Sequence, residues 1–446
     1  MSFPISEASP VRFGAALPPR ADVVVVGGGV IGVMTAWFLR EKGLSVVLCE
    51  KGRIAGEQSS RNWGWVRQQG RDPGELPIMV ESLAIWKRLA AEMGDALAFR
   101  QTGVLYLAKT EAEIAGFEAW TEHSRAHQLD TRLLTADETM AMLKGAAAPW
   151  KGGLFTASDA RAEPWVAVPA LAAAVEEKGV VIREACVVRG LDLAAGKVAG
   201  VVTEAGRVAC DHVVVAAGAW SRLFLGRHGI RIPQLSVLAS VAATEPMPEV
   251  FAGNAADDDF AFRRRADGGY SIAPGSRHDF FIGRDAFRSF GVYLPVLKKD
   301  FQSTNFRLMA PKGFPDAWGT PRRWALDRES PFERLRILNP APNMQTLGKV
   351  QDSFAKAFPA LGRPKLKTAW AGMIDSLPDV VPVVDRAPIP GLTIATGMSG
   401  HGFGIGPGMG RVVADLVTGR PIGHDLSRFR LSRFSDGSRI EPGPSL

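Results

Sequence analysis

The residues able to do chemistry concentrate in a few short stretches. "VVVVGGGVIG", residues 23–32, places Gly27, Gly29 and Gly32 in GxGxxG spacing, and Glu50 follows eighteen residues after Gly32 at the end of "SVVLCE". Each position has a physical task in dinucleotide binding. Gly27 allows a tight turn, Gly29 lets backbone amides approach a pyrophosphate, and Gly32 lets the following helix pack close to the strand. Val30 and Ile31 open that helix, whose N-terminal partial charge favours phosphate. Glu50, with Lys51 beside it, is placed to accept ribose hydroxyls. GxGxxG alone is weak, but strand, turn, helix, strand and acid occur here in order. The turn serves NAD and FAD alike.

Two further stretches carry unusual side chains. "GEQSSRNWGWVRQQG", residues 56–70, has no hydrophobic period and packs arginines, tryptophans, serines and an asparagine around Gly64. "GLTIATG" reads as a strand running into the glycine-dense "SGHGFGIGPGMG", which opens the amphipathic helix "GRVVADLVTG". That is a second strand, close-approach loop and helix N-terminus, suited to another electron-rich group.

The elements that position these residues need a large protein. At 446 residues and 46% hydrophobic, the chain exceeds what one core usually serves, so two domains are expected. Gly (48) and Pro (30) without a collagen period indicate a loop-rich α/β protein. The net charge of +7 is spread along the chain apart from "RRR" at 263–265, and no basic and aromatic stripe suggests nucleic acid. Cys49, Cys186 and Cys210 lie in or beside apolar runs, with no CxxC pair. The start lacks a secretory pattern, so a cytoplasmic location is the expectation. The uncharged run 23–39 is broken by glycines and reads as strand, turn and helix, leaving no transmembrane segment. HExxH, zinc-ligand pairs and GxSxG are absent, so neither a metal nor a serine hydrolase is expected.

With the stretches at 27–50 and 400–410, "VPALAAAVEEKGVVIREACVVRGL" (168–191) and "DHVVVAAGAWS" (211–221), the chain resembles the FAD-dependent amine oxidoreductases of the D-amino-acid oxidase family, glycine oxidase, sarcosine oxidase and D-amino-acid dehydrogenases among them. The resemblance implies an α/β protein in which a Rossmann-type FAD-binding domain interleaves with an α+β substrate domain on a mainly antiparallel sheet. Residues 21–85, 152–228 and 366–446 would form the first, 86–151 and 229–365 the second, and 1–20 an N-terminal extension. It also implies FAD contacts at Gly27, Gly29, Val30, Ile31, Gly32, Glu50 and Lys51; at Ser59, Ser60, Arg61, Asn62, Gly64 and Trp65; at Val188, Ala217, Gly218 and Trp220; and at Gly372, Gly400, Gly402, Phe403, Gly404 and Ile405. Arg67 would lie near the reactive part of the flavin, and His401 stands either toward solvent or beside it. Arg67, Arg71, Arg264, His401 and Trp370 form the candidate catalytic set.

In such a family the α C–H points at flavin N5, and hydride transfer leaves an imine that water hydrolyses. The cofactor carries the electronics and the protein supplies orientation. Two departures bear on substrate. Where glycine and D-amino-acid oxidases place a carboxylate-binding arginine, "AWAGMIDS" places Ile374. Where sarcosine oxidases place a flavin-linking cysteine and a carboxylate-binding lysine, this chain has Ala369 and Gly404, so non-covalent FAD is expected. The carboxylate would then fall to Arg71 or Arg264, the latter sharing a strand face with Phe260 and Phe262, or the substrate is a larger amine. Secondary amines, N-substituted glycines, iminodiacids and D-amino acids remain open, with oxygen or another acceptor taking the electrons. A hydroxy-acid oxidoreductase and a non-catalytic nucleotide-binding protein are the alternatives. "VYLPVLKKDFQSTNFRL" and "TPRRWALDRESPFERLRI" read as partly amphipathic helices, suited to a cover over the site or to a subunit contact in a homo-oligomer.

Overall fold

The four valines Val23–Val26 form a strand at the heart of a six-stranded sheet in the computed structural model, which describes residues 4–147, 149–300, 303–441 and 443. The strand order is 383–386, 392–396, 212–215, 23–26, 46–49 and 181–183, parallel throughout except for the first strand. Both faces are covered, which explains the unbroken apolar runs. Val23 and Val25 enter a core shared with helices Val30–Glu41, Leu76–Met93, Pro164–Glu177 and Gly402–Thr418. Val24 and Val26 enter another core, shared with the antiparallel strands 188–194, 197–203 and 206–209. The strand 23–26 has 46–49 on one side and 212–215 on the other, so connections diverge at its C-terminal end. Such a switch point opens a ligand crevice.

The glycine-dense segment is not a loop. Gly402–Thr418 is one helix, against the expectation that the helix begins after the glycines. Glycine lowers intrinsic helix stability by about 1 kcal/mol per residue, and close packing offsets that cost here. A Cβ on Gly410 would stand 2.5 Å from the Met34 carbonyl carbon, so only glycine lets this helix lie against Val30–Glu41.

A ten-stranded, mainly antiparallel sheet forms the other layer. Phe260, Phe262 and Tyr270 on its far face pack against Phe354 of helix Met344–Ala357 and Phe358 at its end. Its near face, with Tyr106, Val241 and Trp370, meets the nucleotide-binding part. Two strands fall on the opposite side of the expected domain boundaries. Leu366–Ser376, read with the FAD-binding segment 366–446, pairs along its length with Leu235–Thr244 in this sheet. Gly152–Thr156, read with segment 152–228, lies between 104–108 and 131–135. Neither has a local feature that names its partner strand.

The extension before residue 21 is packed down, with Ile5 and Phe13 buried in the nucleotide-side core. "VYLPVLKKDFQSTNFRL" spans the end of helix Arg284–Asp300 and the strand Thr304–Arg307, with residues 301–302 outside the described part. "TPRRWALDRESPFERLRI" forms only the short helix Pro331–Arg334, started by a capping box at Ser330. No helix among the described residues is long and apolar enough to cross a membrane.

Candidate active site

A cavity of about 900 Å³ runs from the glycine turn, between the two sheets, to His401. It lies near the upper end of the usual range for ligand sites, roughly 300–1,000 Å³. At one end, the sheet delivers Val26, Cys49 and Ala216 to its wall, each at or beside the C-terminal end of a parallel strand. Gly27, Gly29, Val30 and Ile31 line it where helix Val30–Glu41 begins. Gly32 does not: a Cβ there would overlap the Gly27 carbonyl oxygen, which is the close-packing task expected of it. The first helical turn contains no acid, so its positive end is left for an anion. Glu50 accepts from the Gly28 amide at 2.7 Å and the Gly52 amide at 2.6 Å. Burial pushes its carboxyl up to about 7, against Lys51 and these amides. Lys51 donates to Glu57 and to the carbonyls of Leu335 and Arg336, and sits 4.4 Å above the Trp220 ring. Val188, Ala217, Gly218 and Trp220 complete this end.

The segment after residue 56 forms the next wall. Ser59 Oγ accepts from the Val30 amide at 2.9 Å, reaching the helix N-terminus. Asn62 accepts from the Gly64 amide at 2.8 Å. Ser60 and Gly64 are absent from the lining, and Gly64, at φ +81°, is held against the Ala162 carbonyl. Arg61 borders the cavity, but its guanidinium is directed into the protein. It donates to the carbonyls of Gly56, Ala371 and Ile5 and to Asn339 Oδ1, so it braces the wall. Trp65 lines the cavity edge-on to Trp63, at a centroid distance of 5.3 Å.

At the far end Arg67, Arg71, Tyr106, Gly400, His401, Gly402, Phe403 and Gly404 meet. Gly404 packs closely here: a Cβ would come within 3.2 Å of both the Trp65 carbonyl oxygen and Val66 Cα. Ile405 is buried behind the lining, while Gly372 and Ile374 contribute to it from strand 366–376. Arg67 lies 5.7 Å from the Tyr106 ring centroid and donates through Nη1 to the Gln69 carbonyl. Arg71 is almost completely buried, donating to the carbonyls of Arg67 at 3.1 Å and His401 at 3.2 Å and pairing with Glu75 at 3.5 Å. Burial pulls its guanidinium down to about 10, still charged at neutral pH.

Two members of the catalytic set are elsewhere. Arg264 donates to the Met247 carbonyl and lies over Tyr270, on the sheet's far face, because the face it shares with Phe262 packs on helix Met344–Ala357. Its neighbour Arg263 points the other way, is fully buried, pairs with both Glu163 oxygens at 2.8 Å and donates to the Trp63 carbonyl at 2.5 Å. Trp370 is buried and donates to the Arg61 carbonyl at 3.0 Å, outside the lining. Several carboxyls in or beside the cavity escaped the sequence reading, Glu57, Glu113, Asp257 and Asp258 among its lining residues. Glu75 pairs with His401, Asp159 holds the Gln68 and Gln69 amides, and Asp375 lines the cavity beside Ile374 while accepting from the Gly397 amide. Burial pushes Asp159 and Asp375 each up to about 6.

The family described as "DAO: FAD dependent oxidoreductase" matches residues 22–416. The chain belongs to this family. It is an FAD-dependent oxidoreductase acting on amine or amino-acid C–N bonds. Among curated proteins, sarcosine oxidase subunit beta from Rhizobium meliloti (strain 1021) is 24% identical over 430 residues, covering 95% of this chain and 90% of its own. Among solved structures, L-amino acid deaminase from Proteus myxofaciens, in complex with anthranilate, is 31% identical with a TM-score of 0.90, covering 96% of this chain and 97% of that one. L-amino acid deaminase from Proteus vulgaris is 32% identical with a TM-score of 0.89, covering 95% and 100%. The cavity of this oxidoreductase fits FAD on its own chemistry. An acid-free helix start suits pyrophosphate, Glu50 suits a ribose, and a glycine-built helix start faces the Trp65–Arg67 backbone.

Proposed function

We propose that this enzyme oxidises an α-amino acid with a large apolar side chain, L-configured, using FAD held without a covalent link. The observation that carries the reading is Arg67. The only hydrogen bond its side chain makes among the described residues uses Nη1, so the rest of its guanidinium is available to a carboxylate in the cavity. Arg71 is committed to the protein and Arg264 is remote, so neither competes for that role. Leu107, Phe117, Val241, Ile374 and Met398 give the same cavity an apolar wall. These side chains receive an apolar substituent and exclude water. The complex of the Proteus myxofaciens L-amino acid deaminase with anthranilate, an aromatic amino carboxylate, supports both halves of the reading.

Bound FAD supplies the two-electron acceptor for the substrate's α C–H bond. Residues at the Glu50 end hold the nucleotide, and Arg67 with the apolar wall orients the α-carbon. The cysteines Cys49 and Cys186 line the nucleotide end, away from Arg67 and His401, which supports non-covalent attachment.

The test is anaerobic mixing of the holoenzyme with L- and D-amino acids, N-alkyl glycines, iminodiacids and hydroxy acids. L-amino acids with apolar side chains are expected to bleach the flavin spectrum fastest. Bleaching only by a hydroxy acid, or only by an amine without a carboxylate, overturns the proposal. Acid precipitation should release the flavin into the supernatant, and peroxide measured in air distinguishes oxygen from another acceptor.

A further inference from the structure

His401 and Glu75 form a carboxylate–imidazole pair at the substrate end of the cavity. His401 Nδ1 lies 3.2 Å from Glu75 Oε2, within ion-pair distance but outside hydrogen-bond geometry, and Nδ1 is buried with no other partner among the described residues, while His401 lines the cavity. Glu75 is fully buried, and its Oε1 has no hydrogen-bond partner among the described residues. Both groups are fixed by their backbones. Glu75 stands at the N-cap position of helix Leu76–Met93, whose N-terminus favours a carboxylate, though its side chain makes no capping hydrogen bond. The His401 amide donates to the Met398 carbonyl at 2.7 Å, and its carbonyl accepts from Arg71. A carboxylate at Nδ1 selects the tautomer with the proton on Nδ1 and leaves the Nε2 lone pair on the opposite edge of the ring.

We propose that His401, oriented by Glu75, accepts a proton from the substrate ammonium, so that the amine enters C–H oxidation with a free lone pair. This rests on the amino-acid reading above. An amino acid arrives mostly as its ammonium ion, whose nitrogen has no lone pair to assist loss of hydride from the α-carbon. In the step, an N–H bond breaks with its electron pair staying on nitrogen, and an Nε2–H bond forms. The positive charge moves to the imidazole, where the Glu75 carboxylate compensates it. His401 touches the substrate in this reading and Glu75 is a positioning residue.

The charged and titratable surroundings suit an acceptor that starts neutral. Glu75, Arg71 and Arg67 face His401, with Tyr106 and Asp159 facing the arginines. Burial holds the imidazole below its ordinary value, with Glu75 opposing and the arginines adding to the depression. Burial alone would raise Glu75, but His401 when protonated, and then the Arg71 and Arg67 guanidiniums, outweigh that and keep its carboxyl below the usual range. With His401 neutral at pH 7, Arg71 and Arg67 are the standing cations beside Glu75.

The experiment is the pH dependence of anaerobic flavin reduction in the parent holoenzyme, His401→Gln and Glu75→Gln, with the best amino acid found. The parent rate constant should level off above neutral pH. In His401→Gln it should fall by about 100-fold at pH 7, within the range for general-base catalysis. It should then climb about tenfold per pH unit toward the ionisation of the free substrate ammonium, with partial rescue by added imidazole. Glu75→Gln should shift the parent's acidic limb to lower pH. A uniform loss in His401→Gln with the parent's profile unchanged overturns the assignment, as does a changed flavin midpoint potential that accounts for the whole loss. Imidazole ¹⁵N NMR of substrate-free holoenzyme, assigned with His401→Gln, provides a reading independent of turnover. It should show Nδ1 protonated, and the opposite tautomer overturns the proposal even where Glu75→Gln fails to fold. If no amino acid reduces the flavin, the substrate reading falls; if reduction proceeds with an unchanged profile, only the proton acceptor falls.

Discussion

Replacing Arg67 with methionine tests the substrate reading most directly. The side chain is half-buried and, among the described residues, makes one hydrogen bond, to the Gln69 carbonyl, and no ion pair, so the change keeps much of its apolar stem and breaks no ion pair. Folding stability should therefore move by no more than about 1 kcal/mol, the net contribution of an ordinary hydrogen bond. Losing one partner of a desolvated charge pair costs about 2–5 kcal/mol, and incomplete burial favours the lower part, about 2–3 kcal/mol. At about 1.4 kcal/mol per decade, kcat/KM for the amino acid should fall roughly 30- to 150-fold. The control is the amine with the same side chain and no carboxylate, whose kcat/KM should change less than about threefold. Both are measured by stopped-flow flavin reduction at matched FAD content. Equal losses for the two substrates would mean that Arg67 acts on the reduced cofactor, and no loss for either would remove it from the reaction.

Gly410→Ala should weaken both fold and cofactor retention. Its Cβ would meet the Met34 backbone at 2.5 Å, so the helices must part at a cost of about 1–3 kcal/mol, visible as a lower Tm and a higher Kd for FAD. Asp159→Asn should become more stable relative to the parent as pH rises. Burial lifts the native carboxyl to about 6, so the parent has its full contribution below the unfolded value near 4 and loses it as pH rises through the native one. The stability gap, followed through Tm, should shift toward the variant between about pH 4 and 7 by on the order of 3 kcal/mol, and a constant gap would refute the linkage.

What the sequence discloses depends on whether a residue's task is local. The glycine turn, its helix and Glu50 lie within one strand–helix–strand unit, and each shows the residue type its position requires. The family is legible from there. Arg263 and Arg264 show where legibility stops. Alternation assigns them correctly to opposite faces, but not which face meets the cavity side, because the aromatic residues that seem to mark the interior pack on the far helix. The glycine-dense first half of helix Gly402–Thr418 reads as a loop because glycine is intrinsically a poor helix former, and the helices packed against it overrule that preference. Glu75 sits in "DPGELP" among ordinary turn residues, and nothing nearby points to His401.

The unpatterned stretch at 56–70 has a physical reason for lacking a period. Much of its backbone is neither helical nor paired in a long strand, so its polar groups must be satisfied from elsewhere. Asn62 holds the Gly64 amide, Asp159 the Gln68 and Gln69 amides, Trp370 the Arg61 carbonyl, Arg263 the Trp63 carbonyl and Arg71 the Arg67 carbonyl. Several of these partners come from the substrate sheet or the elements beside it. The segment is therefore fixed by both layers at once, which lets one stretch carry Ser59 at the helix start and Arg67 at the substrate end. Residues such as Trp370 and Arg263 then serve the reaction without touching the cavity. They hold the peptide that carries Arg67 in place, and a change in either is transmitted to substrate orientation through that backbone.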